Sequence, residues 1–321
     1  MRAAIRTGLL GWTISFGEQP KPEKVADTEL LIKVENAAIN PVDFKIPRAI
    51  GGKVVGIDVS GTVERVGSSV TDFQVGDEVF GRAIGSSGMR GSLAEYTVVS
   101  QDEVAKKPGD LPFNEAAALG VAYLTGLQSM KVGNVGEGSA VLVIGASGGC
   151  GVAGVQLAKA LGAERIVGIC SGKNFDFVRE QVGYDALELV DYNDSELMKE
   201  FRDENKAKFD CIYDTSTGST ADENYSTSVM SMLKEEGQYV QINGGMADWV
   251  KHAAGRKTPR KTMVLTASKG RKSLEEIASL LQKAEVKPHL NIKKFDEAGV
   301  KEGFEMLKGR RTRGKIVFNI N

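Results

Sequence analysis

Cysteine and histidine are scarce in this chain of 321 residues. It has three cysteines and two histidines, and residues 1–120 contain neither type. That absence excludes a thiolate or imidazole metal site and a histidine-based catalytic triad from the first third of the chain. An odd and small number of cysteines also argues against a disulfide framework and favours a reduced compartment.

An excess of basic charge is missing as well. Lys and Arg number 41 and Asp and Glu number 42, so the net charge is −1 and the chain lacks the overall basicity of a dedicated nucleic-acid-binding protein. No apolar run reaches the ~18 residues of a membrane-spanning helix. Residues 1–16 lack the apolar core and cleavage site of a secretory signal. We therefore expect a cytoplasmic chain, divided into domains of about 150 residues each.

The spacing of apolar segments changes along the chain. Short β-segments separated by Gly, Pro, Asp and Ser are typical of an all-β module, and they are predicted at 30–34, 56–66, 76–80 and 93–99. A helix is predicted over 115–130. Beyond it, strands at 140–144, 166–170, 186–190, 209–213 and 239–242 alternate with helices at 152–162, 174–182, 197–205 and 224–234. This alternation predicts a doubly wound α/β sheet. The remaining predicted elements are helices at 273–285 and 296–307, the first opened by a capping box of Ser273 and Glu276, and a strand at 315–320.

A glycine-rich segment, GASGGCG at 145–151, lies between a predicted buried strand and a predicted helix. Glycines allow a tight turn and a close approach to a pyrophosphate, and the helix N-terminus offers free N–H groups and positive charge. The strand–turn–helix context favours a dinucleotide site over a purely structural turn. The residues of this candidate site are Gly145, Ala146, Ser147, Gly148, Gly149, Cys150 and Gly151.

The end of the next predicted strand bears on the choice of cofactor. Sites that prefer NAD carry an acid there, about 20 residues after the glycines, to bind the ribose 2′-hydroxyl. This chain has Ser171 and Lys173 instead. A lysine beside a serine suits a 2′-phosphate, so the sequence favours NADPH over NADH. The alternative interpretation is a solvated lysine at a helix start, although cations are not favoured at that position.

Several ordered motifs together resemble those of one enzyme family. They are NPVDFK at 40–45, GIDVSG at 56–61, GSLAEY at 91–96, EAAAL at 115–119, the glycine segment and RGKIV at 313–317. The chain resembles the medium-chain dehydrogenase/reductase superfamily, in its zinc-free quinone oxidoreductase-like branch. It is also similar to chloroplast-envelope quinone oxidoreductase homologues and to alkenal/enone reductases.

The resemblance implies a GroES-like, β-rich catalytic domain over residues 1–120 and 262–321, and a Rossmann domain over residues 121–261. It implies that NADPH binds between the two domains and that the protein is a homodimer. Zinc-dependent relatives place Cys and His ligands in the first domain, where this chain has none, so we expect no metal. The implied activity is NADPH-dependent transfer of hydride to a quinone or to the C=C bond of an α,β-unsaturated carbonyl compound.

The resemblance also assigns roles to residues. Asn40 and Asp43 match a polar pair near the nicotinamide, and Lys45 could donate to an oxyanion, although a surface lysine is an equal alternative. The remaining cofactor contacts that it implies are Thr125, Ser171, Lys173, Tyr192, Ile242, Asn243 and Gly244. No residue matches the tyrosine that some enoyl reductases use as a proton donor. We therefore expect either that bulk water supplies the proton or that the acceptor is a quinone, which needs no positioned acid for a carbon atom.

A basic stretch at 251–272 contains eight Lys or Arg residues and no acid. A solvated surface is the simplest interpretation. An anionic substrate group, or peripheral contact with an anionic membrane, is the alternative. A non-enzymatic protein that binds NADPH and uses this surface for RNA also stays open, although no RNA-recognition motif accompanies the stretch and no nucleic-acid partner is expected. The alternative to the expected cytoplasmic location is the plastid stroma or a position peripheral to the plastid envelope.

Overall fold

The computed structural model describes residues 1–8, 13–183, 187–217, 225–244, 260–264, 270–310 and 312–321. The chain forms two compact units. The first comprises Met1–Leu124, Ser268–Ala278 and Pro288–Asn321, and the second comprises Thr125–Ala267 and Ser279–Lys287. The second unit thus takes in the segment 279–287, which the predicted boundary at residue 262 assigns to the other domain.

The secondary structure elements are numbered in chain order. The strands are β1 (Arg2–Thr7), β2 (Thr13–Glu18), β3 (Glu29–Ile39), β4 (Asp58–Val66), β5 (Glu78–Arg82), β6 (Ile84–Gly85), β7 (Gly88–Met89), β8 (Tyr96–Ser100), β9 (Val104–Lys106), β10 (Ala140–Ile144), β11 (Arg165–Cys170), β12 (Glu188–Asp191), β13 (Phe209–Asp214), β14 (Leu233–Gln241), β15 (Lys261–Met263), β16 (Leu290–Lys294) and β17 (Lys315–Asn319). The helices are α1 (Pro41–Lys45), α2 (Arg48–Gly51), α3 (Phe113–Ala118), α4 (Val121–Val132), α5 (Gly149–Ala160), α6 (Phe175–Val182), α7 (Ser195–Glu204), α8 (Tyr225–Ser228), α9 (Arg271–Lys283) and α10 (Glu297–Lys308).

A seven-stranded sheet organises the first unit. Its order is β16-β17-β3-β4-β5-β9, and β8 also pairs with β3. Every pair is antiparallel except β16 with β17. The alanines of α3 pack on Ala38 and Val317 of this sheet, because small side chains let a helix approach it closely. The last strand of the chain therefore lies inside this sheet, between β16 and β3.

A parallel sheet of six strands forms the second unit. Its order is β12-β11-β10-β13-β14-β15, which is 3-2-1-4-5-6 when the six strands are numbered along the chain. This is the strand order of the Rossmann fold, in which the order reverses between the first and fourth strands and leaves a crevice at their carboxyl ends. The central strands β10, β11 and β13 are buried on both faces, as their continuous apolar runs predict. The predicted combination of a β-rich domain with a doubly wound parallel sheet is confirmed.

Some predicted elements are wrong in detail. The single helix predicted at 115–130 is two helices, α3 and α4, because the backbone breaks at Gly120 to meet the Asp58 carboxylate. A Cβ on Gly120 would lie 2.2 Å from Asp58 Oδ1, and the Val121 N–H donates to the same oxygen at 2.7 Å.

Two other local predictions fail. The helix predicted at 224–234 gives way to the short α8 and the start of β14, because Leu233 pairs with Phe209 of β13. The capping box of Ser273 and Glu276 does not form at the helix start, since α9 already begins at Arg271.

Candidate cofactor and acceptor sites

The glycine turn joins β10 to α5 at the point where the strand order reverses. Gly145 has a φ of +82°, which favours glycine, and its N–H and that of Ala146 donate to the Ile169 carbonyl. A Cβ on Gly151 would lie 2.0 Å from the Gly145 carbonyl oxygen. The first turn of α5 is therefore packed directly on the end of β10, and only glycine fits at Gly151.

The start of α5 is suited to an anion. Gly148 precedes the helix and no side chain caps its first turn, which contains Gly149, Cys150 and Gly151. The N–H groups of a first helical turn lack intrahelical acceptors, and the helix dipole adds positive charge there. Ser147 is held beside this turn, since its Oγ accepts from Asn174 Nδ2 at 3.1 Å. These groups fit a dinucleotide pyrophosphate, which is the moiety that such turns bind.

The neighbouring strand ends meet the glycine turn. Thr215, after β13, donates from its hydroxyl to the Ile144 carbonyl at 2.7 Å, and a Cβ on Gly145 would lie 2.5 Å from Thr215 Oγ1. Asn243, after β14, donates from Nδ2 to the Thr215 carbonyl at 3.0 Å. The predicted segment Ile242 to Gly244 and the glycine turn thus lie at one edge of the sheet. Thr125 is buried in α4, with 4% of its surface exposed.

The ends of β11 and β12 bring the other predicted cofactor residues together. Cys170 pairs in register with Asp191, so that Ser171 and Lys173 follow one strand and Tyr192 follows its neighbour. Lys173 is exposed, and Tyr192 is 49% exposed. The sequence interpretation missed Asp191 and Asn193, which lie between these residues. The sequence signal that could have identified Asp191 was its position at a strand end, immediately before Tyr192.

Asp191 is an ionised carboxylate. The backbone N–H of Asn193 lowers the pKa of Asp191, as do the Asn193 side chain and the Gly172 N–H, against a smaller opposing effect of desolvation. The Asn193 N–H donates at 2.9 Å and its side-chain amide at 2.7 Å, both to Asp191 Oδ1. The acid is therefore satisfied by the protein's own donors.

A buried polar cluster surrounds two of the predicted catalytic residues in the first unit. The Lys315 ammonium donates to Asn40 Oδ1 at 2.7 Å, to Asp58 Oδ2 at 2.8 Å and to the Ile39 carbonyl at 3.3 Å. Asn40 Nδ2 donates to Asp58 Oδ2 at 2.8 Å. Asn40 is 4% exposed and Asp58 is fully buried. Their hydrogen bonds are therefore shielded from water, and they hold the Asn40 side chain in place at the start of α1.

Asp43 is fully buried beside this cluster. Its Oδ2 accepts the Asn40 N–H at 2.7 Å, while Oδ1 is buried and has no hydrogen-bond partner among the residues that the structure describes. Burial raises the pKa of Asp43 to about 7. The Asn40 N–H opposes this rise, Asp58 adds to it, and Lys315 and Arg6 oppose it. The buried Arg6 guanidinium donates to the Asp43 carbonyl at 2.7 Å and to the Gly51 carbonyl at 2.6 Å, which ties α1 to the end of α2.

Lys45 differs from the other two predicted catalytic residues because its side chain is exposed. Partial desolvation and the charge of Arg310 lower the pKa of the Lys45 ammonium. Of these three residues, only Lys45 offers a hydrogen-bond donor at the surface. Sequence reasoning missed Arg6, Asp58 and Lys315 as members of the cluster, although the motifs GIDVSG and RGKIV contain the last two.

Only part of the basic stretch at 251–272 lies within the described residues. Lys251, Arg256, Lys257 and Lys269 lie outside the described residues. Arg260 donates to the carbonyls of Leu233 and Lys234, and Arg271 forms an ion pair with Asp72 at 2.7 Å. These two cations therefore serve structural contacts.

The described ranges contain no group of three or more His, Cys, Asp or Glu side chains placed to hold a metal ion. No helix within them is long and apolar enough to span a membrane.

Comparison with known proteins gives consistent matches for both units. The alcohol dehydrogenase GroES-like domain matches residues 26–109, and the family described as zinc-binding dehydrogenase matches residues 184–318. The chain is 32% identical over 312 residues to 2-methylene-furan-3-one reductase of Solanum lycopersicum, which covers 92% of this chain and 72% of that protein. It is 29% identical over 307 residues to the NADPH-dependent alkenal/one oxidoreductase, chloroplastic, of Arabidopsis thaliana, with the same two coverages of 92% and 72%. The structure of the quinone oxidoreductase from Coxiella burnetii superposes with a TM-score of 0.80 at 25% identity, over 100% of this chain and 99% of that chain.

Proposed function

Because this chain belongs to the medium-chain dehydrogenase/reductase superfamily, in its quinone oxidoreductase-like branch, we propose that it is an NADPH-dependent, zinc-independent reductase. Its acceptor is a quinone or the C=C bond of an α,β-unsaturated carbonyl compound. The observation that carries the proposal is the glycine turn at 145–151, which lies at the reversal point of a 3-2-1-4-5-6 sheet. The names of the three relatives above include a methylene-furanone, an alkenal and a quinone, and they agree with this choice.

The cofactor is held along the carboxyl edge of the parallel sheet. The turn from Gly145 to Gly151 binds the pyrophosphate, and Ser171, Lys173 and Tyr192 bind the adenosine end with its 2′-phosphate. Thr125 and the segment Ile242 to Gly244 face the nicotinamide end. Bound NADPH supplies two electrons as a hydride, and the protein's task is to orient the acceptor against it.

The acceptor site centres on Lys45. Asn40 and Asp43 are buried, so we assign them the positioning of α1 rather than contact with the substrate. The Lys45 ammonium donates to the oxygen that becomes negative as an enolate or quinol anion forms. A lowered pKa makes this ammonium a stronger donor. Bulk water then supplies the proton.

The composition of the first third of the chain supports zinc independence. Residues 1–120 contain no Cys and no His, and a zinc ion that activates an alcohol needs such ligands. We also propose a homodimer that extends the parallel sheet from its β15 edge, and a cytoplasmic location. The word chloroplastic in the name of the Arabidopsis relative makes the plastid the alternative location.

The first experiment follows NADPH oxidation at 340 nm with the purified protein, after dialysis against EDTA. An ortho-quinone and a short-chain 2-alkenal are compared as acceptors. Turnover with either one supports the proposal, and the faster acceptor identifies the substrate class. Binding of NADPH without turnover of either acceptor would instead favour the non-enzymatic alternative, and loss of turnover on removal of zinc would contradict zinc independence.

Lys45 offers a matched pair of variants. Lys45→Met removes the donor and is expected to lower kcat about 100-fold, since loss of one oxyanion donor costs ~2.7–4 kcal/mol in well-formed sites. Lys45→Arg keeps the charge and should retain most of the activity. Equal activity of the two variants would argue against an oxyanion role.

A further inference from the structure

Asn193 links two residues at the adenosine end of the proposed cofactor site. Its side-chain nitrogen Nδ2 donates to Asp191 Oδ1 at 2.7 Å and to Ser171 Oγ at 3.1 Å. A carboxamide nitrogen has two hydrogens, so these two bonds use both of them. The contact joins the carboxyl ends of β11 and β12, where Cys170 and Asp191 are paired in register.

The first consequence concerns the Ser171 hydroxyl. A serine hydroxyl carries one hydrogen and two lone pairs. When Ser171 Oγ accepts from Asn193, its hydrogen stays available for another acceptor, and no group in the described part of the chain accepts it. A hydroxyl oriented in this way is a donor to an anionic oxygen beside Lys173.

The second consequence concerns the Asp191 carboxylate. An acid at this edge of a dinucleotide site accepts hydrogen bonds from the ribose 2′-hydroxyl, and it repels a 2′-phosphate. Here the Asn193 backbone and side chain donate to Oδ1, and the Gly172 N–H donates to the same carboxylate. A Cβ on Gly172 would lie 2.5 Å from Asp191 Oδ2, so this acid is packed against the turn that carries Ser171.

We propose that Asn193 is a positioning residue for cofactor choice. It turns the Ser171 hydroxyl toward a 2′-phosphate and occupies the carboxylate that would otherwise bind the 2′-hydroxyl of NADH. The inference rests on the proposed function, because it assigns the 2′-phosphate to Ser171 and Lys173. It extends that function by placing the choice in a residue that need not touch the cofactor.

The test measures binding of two small ligands by titration calorimetry, 2′,5′-ADP and 5′-AMP, which differ in the 2′-phosphate alone. Asn193→Ala should weaken binding of 2′,5′-ADP by about fivefold, since the Ser171 hydroxyl remains as a donor to the charged phosphate and only its orientation is lost. The affinity for 5′-AMP should change less than twofold, because the backbone N–H groups of residue 193 and Gly172 still occupy the Asp191 carboxylate. Ser195→Ala, an exposed residue two positions further along, is the matched control and should behave as the unmodified protein.

A double-mutant cycle identifies the route of the effect. If Asn193 acts through Ser171, adding Asn193→Ala to the Ser171→Ala variant should weaken binding of 2′,5′-ADP by less than a further twofold. Full additivity, or equal weakening of both ligands by Asn193→Ala, would overturn the inference and indicate a general structural role. An unmodified protein that binds 5′-AMP as tightly as 2′,5′-ADP would instead refute the proposed NADPH preference itself, which keeps the two failures distinguishable.

Discussion

Replacing Asp43 by asparagine tests the buried cluster of the first unit, and pH is the variable that makes the test specific. The introduced carboxamide would keep an oxygen that accepts the Asn40 N–H but could not ionise. The groups facing this carboxyl are Asp58, Lys315 and Arg6. Only two histidines occur in the whole chain, so few other groups titrate between pH 5 and 8.

The magnitude follows from the pKa of Asp43, which burial raises from 3.8 to about 7. In the folded state the carboxyl therefore holds its proton at pH values where the unfolded chain has lost it. The stability due to the neutral form is fully present below pH 4 and is lost as pH rises through 7. A shift of about three pKa units corresponds to about 4 kcal/mol. Asp43→Asn avoids this loss. The free energy of unfolding of the variant should therefore rise relative to that of the unmodified protein by about 1.4 kcal/mol per pH unit between pH 5 and 7.

The assay is urea unfolding followed by far-UV circular dichroism at pH 5, 6, 7 and 8. The quantity of interest is the difference in free energy of unfolding between the variant and the unmodified protein, which should rise with pH and level off above pH 7. Asp210→Asn is a useful control, because Lys234 and the Ala140 N–H hold that carboxyl ionised and lower its pKa. Its difference should not rise in the same window. A constant difference for Asp43→Asn across pH 5–8 would refute the reasoning.

Three further variants test the rest of the site. Lys315→Met should destabilise the protein by about 3–5 kcal/mol, since it leaves the buried Asp58 unpaired, and adding Asp58→Asn should restore part of the urea midpoint. Gly151→Ala should abolish NADPH binding measured by cofactor fluorescence, because its Cβ would lie 2.0 Å from the Gly145 carbonyl oxygen. Lys173→Asp should lower kcat/KM for NADPH by about tenfold or more relative to NADH, as a charge-assisted contact is replaced by repulsion. An equal loss with both cofactors would contradict the role of Lys173.

The parallel sheet could be predicted from the sequence almost strand by strand. Continuous apolar runs such as 140–144 reveal buried parallel strands because the signal is local. The helix predicted at 224–234 failed because the start of β14 is polar, with Lys234, Glu235 and Glu236 following Leu233. Its strand character comes from pairing with β13, which no local pattern contains.

The polar cluster of the first unit could not be predicted from local sequence patterns for the same reason. Lys315 reaches Asn40 across 275 positions of the chain and Asp58 across 257. Asn40 and Asp43 were found as a motif, but their burial could not be read from it. In the structure, the exposed hydrogen-bond donor of that motif is Lys45, two residues after Asp43.

The position of Lys315 ties the proposed acceptor segment to the end of the chain. Burying the Asp58 carboxylate costs several kcal/mol unless a cation and further donors meet it, and Lys315, Asn40 and the Val121 N–H supply those partners. Lys315 is the first residue of β17, which pairs with β3 immediately before Asn40. The conformation of the backbone from Asn40 to Lys45 therefore depends on the pairing of the last strand with β3. The proposed acceptor segment is thus held by contacts with distant parts of the chain, whereas the residues of the glycine turn at 145–151 are consecutive and could be recognised as one local motif.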